Sequence, residues 1–311
     1  MRAVLVDANA AGHLKLGEAQ EPDPKPGQAL VAIKAISLNL GEVKRARRGS
    51  PGQLLGWDLA GIVEKPAADG SGPKAGARVV GLVPSGAWAE RAAVDSAALA
   101  ALPDNVSFAH AATLPVAGLT ALYALEQAGQ LLGRRVLVTG ASGGVGLYGI
   151  QLAAQSGALA TALIRQPKQE TLVRGAGAVQ VVVGERAGGT AAHGPFHCVL
   201  ESVGGPVLAD CLGQVAQGGV LVSYGISSEA PATIDVGQFF RTGRVRYYGL
   251  MLFSELGRRP ASDGLAVLAG LMSQGRLQPH IDADDKLGNL GKLAERLYSR
   301  QIVGKAVLHV D

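Results

Sequence analysis

The chain has 311 residues, a formal net charge of +4 at neutral pH and only two cysteines, Cys198 and Cys211. This length is sufficient for more than one domain, whereas two cysteines exclude a disulfide framework and a four-cysteine zinc site. The dispersed positive charge does not indicate nucleic-acid binding. No apolar run is as long as the roughly twenty residues of a membrane span, and no signal-peptide core follows Met1. We therefore predict a cytoplasmic protein with neither nucleic-acid nor membrane partners.

Short apolar segments separated by glycine and proline fill the first hundred residues. They span residues 3–6, 29–35, 60–63, 77–83 and 87–93. Short strands with regular turn signals are typical of a barrel-like β domain. The pattern changes near Val106, where an alanine-rich helix opens at Ser107 and a second is predicted over residues 118–128.

Residues 134–165 form a predicted β-α-β unit with a glycine-rich turn. An aliphatic run at 136–138 precedes the turn, and a helical pattern and a second strand at 159–164 follow it. The dinucleotide fingerprint G-x-G-x-x-G, with alanine in its first place, fits Ala141, Ser142, Gly143, Gly144, Val145 and Gly146. Glycine permits the sharp turn and lets a pyrophosphate approach the first N–H groups of the helix. The alternative is a purely structural glycine-rich turn.

The residues after the second strand bear on which dinucleotide binds. An acid at this position would bind the ribose 2′-hydroxyl of NAD, whereas a cation accommodates the 2′-phosphate of NADP. The chain has Arg165 and Lys168 here, with no acid before Glu170. Arg165 can meet a phosphate with its planar fork and Lys168 as a point charge. We predict NADPH as the cofactor. The alternative is that both cations are only solvated at a strand end.

Strands and helices continue to alternate after this unit. Strands are predicted at 179–183, 196–201 and 219–224, with helices at 168–175 and 206–215. This alternation predicts a doubly wound parallel sheet. Beyond residue 253, helices at 263–274 and 287–300 precede a closing strand at 305–310, which would return to the first domain and make it discontinuous.

Five short motifs occur in order along nearly the whole chain. They are Ser37-Leu38-Asn39, GWDLAGIVE at 56–64, LPVAGLTA at 114–121, ASGGVG at 141–146 and GKAVL at 304–308. Together they resemble motifs of the medium-chain dehydrogenase/reductase superfamily, in its zinc-free quinone-oxidoreductase branch. The resemblance implies an α/β fold in which a GroES-like β-barrel catalytic domain, at residues 1–115 and 255–311, flanks a doubly wound Rossmann NADP(H)-binding domain at 116–254.

The resemblance also implies site residues in a cleft between these domains that holds the nicotinamide. Asn39 and Thr120 would border the nicotinamide as catalytic residues, while Phe253 and Lys305 would close the cofactor cleft. Four further residues would follow strands at the carboxyl edge of the sheet, where such sheets bind ligands: Ser202, Val203, Gly225 and Ile226. Structural roles are the alternatives: a turn for Asn39, a helix position for Thr120, a core position for Phe253 and a solvated cation for Lys305.

No metal site is predicted. Where zinc alcohol dehydrogenases need cysteine and histidine ligands, this chain has Asn39 and Trp57, and no cysteine precedes Cys198. The turn also resembles the short-chain dehydrogenase signature. That family needs a lysine four positions after a catalytic tyrosine, and none of the six tyrosines is followed by one.

Hydride transfer without a metal needs an oriented cofactor and a polarised acceptor. A quinone or an α,β-unsaturated carbonyl is already activated by conjugation, and Asn39 would donate a hydrogen bond to it. We predict a zinc-independent, NADPH-dependent reductase of such small molecules. Two alternatives stay open. One is an enoyl-thioester or other specialised C=C reductase that binds an acidic handle with the basic segment 44–48, and the other is a non-catalytic NADPH-binding sensor or structural protein.

The apolar, aromatic run VRYYGLMLF at residues 245–253 is suited to pairing between edge strands. Proteins that this chain resembles are commonly dimers joined in this way, so we predict a homodimer. The alternative is that the run is a buried strand within one subunit.

Overall fold

The computed structural model describes residues 1–310 and divides them into two compact units. Unit 1 combines Met1–Leu119 with residues 256–310, and unit 2 spans Thr120–Glu255. Unit 1 is therefore discontinuous in the chain. The catalytic and NADP(H)-binding roles assigned to the two domains stay predictions.

The described residues contain fifteen β-strands and ten α-helices. The strands are β1 (Arg2–Val6), β2 (Leu14–Glu18), β3 (Gln28–Ser37), β4 (Asp58–Lys65), β5 (Arg78–Leu82), β6 (Arg91–Asp95), β7 (Leu99–Ala101), β8 (Arg135–Val138), β9 (Leu159–Ile164), β10 (Gln180–Val183), β11 (Phe196–Glu201), β12 (Val215–Ser223), β13 (Arg246–Gly249), β14 (Ile281–Lys286) and β15 (Lys305–His309). The helices are α1 (Leu40–Ala46), α2 (Phe108–Ala112), α3 (Pro115–Glu126), α4 (Gly144–Gln155), α5 (Glu170–Gly175), α6 (Gly205–Leu212), α7 (Val236–Thr242), α8 (Leu252–Glu255), α9 (Ala261–Ser273) and α10 (Leu290–Tyr298). Short 3-10 segments lie at Ala11–His13, Ser96–Ala98, Pro167–Gln169, Ala187–His193 and Leu287–Asn289.

Unit 2 contains a six-stranded sheet in which all neighbouring strands are parallel. Across the sheet the strand order is β10-β9-β8-β11-β12-β13, so the winding direction reverses between β8 and β11. This is the order of a doubly wound sheet, which binds its ligands at the carboxyl ends of the strands beside the reversal point. The fold class predicted for this part of the chain is confirmed.

The central strands of this sheet are mostly apolar because both of their faces are covered. Val136, Leu137 and Val138 of β8 are fully buried, as are Val199 and Leu200 of β11. The predicted strands at 159–164 and 196–201 are confirmed as β9 and β11.

β13 forms one edge of the sheet and pairs only with β12 among the described strands. Tyr247 on this strand is 49% exposed, and Met251 just beyond it is 63% exposed. The apolar run at 245–253 is therefore not a strand buried within the subunit.

Unit 1 contains a mixed seven-stranded sheet and a small antiparallel pair formed by β1 and β2. The sheet follows the path β14-β15-β3-β4-β5-β7, and β6 also pairs with β3. β15 lies antiparallel to β3 with Val307 opposite Ser37, so the predicted closing strand does return to the N-terminal part of the chain. The core beneath the sheet includes the fully buried Leu59 and Trp88.

Two predicted elements were wrong in part. The helix predicted at 206–215 ends at Leu212, and Val215 begins β12, because a short apolar run fits a buried strand as well as a helix. Of the strand predicted at 87–93, only the part from Arg91 belongs to a strand, β6.

Candidate functional site

The predicted site residues fall into two groups, one in each unit. The fingerprint, Thr120, Arg165, Lys168, Phe253 and the two loops of the sheet edge lie in unit 2, whereas Asn39 and Lys305 lie in unit 1. Each group is described within its own unit.

The fingerprint turn connects β8 to α4. Gly143 is the N-cap residue of α4 and, as a glycine, supplies no capping side chain. Within residues 1–310, no acceptor is hydrogen-bonded to the backbone N–H groups of Gly144, Val145 and Gly146. Free N–H groups at the positive end of a helix dipole are suited to a phosphate. The turn therefore fits the pyrophosphate of a dinucleotide.

Close packing within the turn requires glycine at two positions. A Cβ atom on Gly146 would lie 2.6 Å from the carbonyl oxygen of Gly140 and 2.8 Å from the Cα of Ala141. Gly140 itself has a φ of +55°, which disfavours other residues. The first turn of α4 thus lies directly on the backbone of the preceding loop.

Two loops at the carboxyl edge of the sheet are joined by backbone hydrogen bonds. Ser227 donates its N–H to the carbonyl of Ser202 at 3.1 Å, and Ser228 donates to Val203 at 2.8 Å. The structure therefore brings the predicted residues Ser202 and Val203, after β11, next to the loop of Gly225 and Ile226, after β12.

Glu201 holds the first of these loops and was not predicted from the sequence. Its Oε1 atom accepts hydrogen bonds from the N–H groups of Val203 at 2.7 Å and Gly204 at 3.0 Å. Burial raises the pKa of the Glu201 carboxyl above its ordinary value. The sequence did contain one indication of its role, because Glu201 is the single acid at the end of the mostly apolar strand FHCVLE.

Arg165 and Lys168 follow β9 and are exposed to solvent. In the part of the chain that the structure describes, no carboxylate forms an ion pair with either cation. The nearest acid along the chain, Glu170, instead pairs with Arg174 at 2.8 Å. Thr120 lies buried on α3 and Phe253 lies on α8.

In unit 1, Asn39 and Lys305 meet in a buried polar cluster. The cluster comprises Ser37, Asn39, Glu42, Asp58 and Lys305. The Nδ2 atom of Asn39 lies 2.8 Å from Glu42 Oε2 and 2.7 Å from Asp58 Oδ2, and its Oδ1 atom accepts a hydrogen bond from Lys305 at 2.8 Å. The Ser37 hydroxyl donates to Asp58 at 2.6 Å. Glu42 and Asp58 are therefore central members that the sequence-based site did not include.

The ammonium group of Lys305 is only 3% exposed. Its Nζ atom lies 2.9 Å from the carbonyl oxygen of Leu38, 2.8 Å from Asn39 Oδ1 and 3.4 Å from Asp58 Oδ2. An ammonium has three N–H donors, so all three have partners inside unit 1. Lys305 is therefore not the solvated cation considered from the sequence.

The cluster also ties separate elements of unit 1 together. Asp58 Oδ1 accepts the N–H of Val116 at the start of α3, at 2.9 Å. Glu42 Oε1 accepts the N–H of Trp57 at 2.6 Å, and its Oε2 accepts the N–H of Asn39 at 2.8 Å. β3, α1, β4, α3 and β15 all contribute a backbone or side-chain group.

Burial and the neighbouring charge of Asp58 raise the pKa of Glu42 to about 8. Asn39 and Lys305 act in the opposite direction but do not offset this effect. Two carboxylates and one ammonium leave the buried cluster with one excess negative charge, which a proton on Glu42 removes.

This shift predicts a dependence of stability on pH. Because Glu42 has a pKa of 4.5 when solvated and about 8 in the folded protein, the folded state binds a proton that the unfolded chain releases between these values. The contribution of Glu42 to the free energy of unfolding is therefore largest below pH 4.5, is lost as the pH rises to about 8, and is constant above that. Urea denaturation at a series of pH values measures the free energy of unfolding. Between pH 4.5 and about 8 the contribution of Glu42 should make this free energy decrease with pH in the wild type, and Glu42→Gln should lack that decrease. Parallel slopes for the two proteins would contradict this assignment.

Trp57 lies immediately before β4. Its indole ring packs against the first turn of α1. A Cβ atom added to Gly41 there would lie 2.9 Å from Cη2 of Trp57. Across residues 1–310, no three histidine, cysteine, aspartate or glutamate side chains are grouped as a metal ion would require. None of the described helices is both long enough and apolar enough to span a membrane.

Comparison with known proteins gives matches to two family models and to several relatives. A model described as an alcohol dehydrogenase GroES-like domain matches residues 25–104, and one described as a zinc-binding dehydrogenase matches residues 176–308. A trans-enoyl reductase of Aspergillus terreus is 31% identical over 233 residues, covering 63% of this chain and 77% of that protein. A quinone oxidoreductase of Pseudomonas aeruginosa is 28% identical over 308 residues, covering 95% of each.

A solved mycobacterial structure in complex with NADPH superposes with a TM-score of 0.89 at 25% identity, with 100% of both chains covered. The chain also matches much longer polyketide synthase proteins, and spans 12% of one from Streptomyces orinoci and 8% of one from Saccharopolyspora erythraea.

A GroES-like domain match together with a doubly wound parallel sheet that carries a glycine-rich turn is typical of dinucleotide-dependent oxidoreductases. The chain belongs to the medium-chain dehydrogenase/reductase superfamily, in its quinone-oxidoreductase branch.

Proposed function

We propose that the protein is an NADPH-dependent reductase that transfers hydride, without zinc, to a quinone or an α,β-unsaturated carbonyl. One observation carries the choice of cofactor. The uncapped turn before α4 and the unpaired Arg165 and Lys168 after β9 lie at the carboxyl ends of adjacent parallel strands. The first feature suits a pyrophosphate, and the second suits an additional phosphate on the ribose.

Each predicted residue has a role in this proposal. Residues 141–146 hold the pyrophosphate, and Arg165 and Lys168 hold the 2′-phosphate. Thr120, Phe253 and the edge loops orient the nicotinamide, which supplies the hydride when NADPH is bound. Asn39 meets the carbonyl of the acceptor, and Lys305 holds Asn39 in place through its Oδ1 atom.

Two residues support zinc independence, because by resemblance they take the places of zinc ligands in zinc alcohol dehydrogenases. Asn39 and Trp57 offer an amide and an indole, neither of which is a zinc ligand in the preferred nitrogen, sulfur and carboxylate set. Polarisation of the acceptor then depends on hydrogen bonding, which suffices for a conjugated acceptor.

The direct test is NADPH consumption, followed by absorbance, with 1,4-benzoquinone, 9,10-phenanthrenequinone, an alkenal and a cyclic enone. Parallel reactions use NADH in place of NADPH, or include a metal chelator. Chelator-resistant oxidation of NADPH supports the proposal, and the preferred acceptor separates quinone from C=C reduction. Tight binding of NADPH without turnover of any acceptor would instead favour a non-catalytic NADPH-binding sensor.

Arg165→Ala is expected to weaken NADPH binding by about 10- to 100-fold and to change NADH binding by less than about twofold. The reason is that a charge-assisted hydrogen bond to phosphate contributes about 1.5–3 kcal/mol, and only NADPH has the 2′-phosphate. Fluorescence titration with both cofactors measures the effect. Arg174→Ala, which removes an exposed arginine of the same unit, is the matched control. An equal loss of affinity for both cofactors would refute this role of Arg165.

A specific observation favours an enoyl thioester as a second candidate substrate. In the segment 44–48, Arg45 and Arg48 are exposed and have no ion-pair partner among residues 1–310. They are three residues apart at the end of α1, so they lie on the same side of the chain. They would bind the phosphate of a thioester carrier. Comparison of crotonyl-CoA with crotonyl-N-acetylcysteamine, which lacks phosphate, tests this. Equal KM values for the two would exclude a phosphate-binding role.

We also propose that the protein is a homodimer joined through β13. The exposed edge and the exposed Tyr247 and Met251 support this proposal. Light scattering coupled to size-exclusion chromatography measures the mass, and a proline at Tyr247 should convert a dimer to a monomer because proline lacks the N–H needed for pairing.

A further inference from the structure

Both hydrogens of the Asn39 amide point at carboxylates. Nδ2 lies within 2.8 Å of Glu42 Oε2 and of Asp58 Oδ2, and an amide nitrogen has only two hydrogens. The orientation of the amide is fixed, because Lys305 can only donate and so faces Oδ1. In this arrangement Asn39 has no hydrogen left for a carbonyl acceptor.

The three donors that face Glu42 match its ionised form, which predominates above its pKa of about 8. Glu42 accepts hydrogen bonds from the N–H of Trp57, the N–H of Asn39 and the amide of Asn39. A protonated Glu42 carries a hydroxyl that must donate. Asp58 shares the same amide nitrogen with Glu42 and is the neighbouring anionic acceptor. A carboxyl–carboxylate hydrogen bond between the two would displace the Asn39 Nδ2 group, whose two hydrogens now bind one carboxylate each.

Asp58 on β4 and Lys305 on β15 are the charged groups that act on Glu42. α10 and the 3-10 segment at Ala11–His13 also pack against α1. These two segments carry one half-buried ionisable side chain, that of His13. Their other ionisable side chains are exposed: Lys292, Glu295, Arg296 and Tyr298. Burial is the main cause that raises the pKa of Glu42 to about 8. The negative charge of Asp58 raises this pKa further, whereas the positive charge of Lys305 lowers it.

We propose that a proton on Glu42 switches Asn39 from an inward bridge between two carboxylates to a hydrogen-bond donor for the acceptor carbonyl. Glu42 and Asp58 are then positioning residues that act through Asn39. This inference rests on the proposed function, in which the acceptor lies against Asn39. The proton comes from solvent and returns to it, and no bond of the acceptor changes in this step.

Two measurements test the switch. The first needs no turnover: the side-chain amide resonances of Asn39, followed by NMR from about pH 6 to about pH 9.5, should shift with a midpoint near that of Glu42. The Asn289 amide, which donates to the half-buried Asp285 at 2.8 Å, is an internal control that should not shift in this range. Asn39 resonances that stay constant over the whole range would overturn the proposal.

The second measurement is the pH profile of kcat/KM with the best acceptor. Wild-type kcat/KM should fall about tenfold per pH unit above the pKa of Glu42, which gives the profile an alkaline limb. Glu42→Gln has no ionisable group at this position and should lose that alkaline limb. Glu90→Gln changes a solvated carboxylate that pairs with Arg2 and should keep it. An alkaline limb that persists unchanged in Glu42→Gln would refute the switch. Titration of the amide without turnover of any acceptor would refute the proposed function alone.

Discussion

Replacement of Lys305 by methionine is expected to lower the free energy of unfolding by about 3–5 kcal/mol. Methionine fills a similar volume but removes the ammonium that lies 3.4 Å from Asp58 and 2.8 Å from the Asn39 oxygen. The variant would leave the buried Asp58 carboxylate without its counter-charge. Urea denaturation at neutral pH, followed by circular dichroism, measures the loss.

Lys34→Met is the matched control, because Lys34 lies exposed on β3 of the same unit. Its effect should stay within about 0.5 kcal/mol. A deficit of less than about 1 kcal/mol at neutral pH would mean that the cluster does not depend on its lysine.

Gly146→Ala is expected to weaken NADPH binding by roughly 5- to 150-fold. The added Cβ would lie 2.6 Å from the carbonyl oxygen of Gly140, and this backbone contact cannot be relieved by a side-chain rotation. Overpacking of this kind costs about 1–3 kcal/mol, and the displacement it forces moves the free N–H groups of α4 away from the pyrophosphate. Fluorescence titration with NADPH measures the affinity.

Gly175→Ala is the control for Gly146→Ala. It tests whether the loss of NADPH affinity is specific to the turn or follows from any methyl group added in unit 2. Gly175 ends α5, and a Cβ there would meet nothing within 4 Å, so its NADPH affinity should equal that of the wild type. NADH should lose as much affinity as NADPH in Gly146→Ala, because both carry the pyrophosphate. Unchanged binding of both cofactors would show that the pyrophosphate does not lie on this turn.

Much of the fold of unit 2 was predictable because its central strands are buried on both faces. Such strands read as continuous apolar runs, and the glycine-rich turn fixes where the first of them ends. β14 was missed for the opposite reason. It lies at a sheet edge, pairs only with β15 and carries three aspartates in the sequence IDADDK, so its pattern lacks the apolar alternation of a half-buried strand.

The site in unit 1 was predictable only in part. Asn39 and Lys305 are 266 positions apart, and no local pattern indicates that they touch; resemblance alone selected them. Glu42 is a charged residue in a helical segment, which usually indicates a solvated position. A signal did exist, because an asparagine followed three residues later by glutamate is typical of a helix start at which the acid folds back onto the backbone. That spacing predicts a local contact but not burial beside Asp58.

The position of β15 in the chain also has a consequence for synthesis on the ribosome. β15 pairs with β3 and supplies Lys305, yet it follows all of unit 2 in the sequence. Unit 2 is continuous and can fold as it emerges, since domains generally fold as units. The nascent residues 1–119 of unit 1, in contrast, carry Glu42 and Asp58 without their lysine until β15 is translated. Chaperones that protect incomplete chains would therefore be needed at this earlier part of unit 1 rather than at the parallel sheet of unit 2.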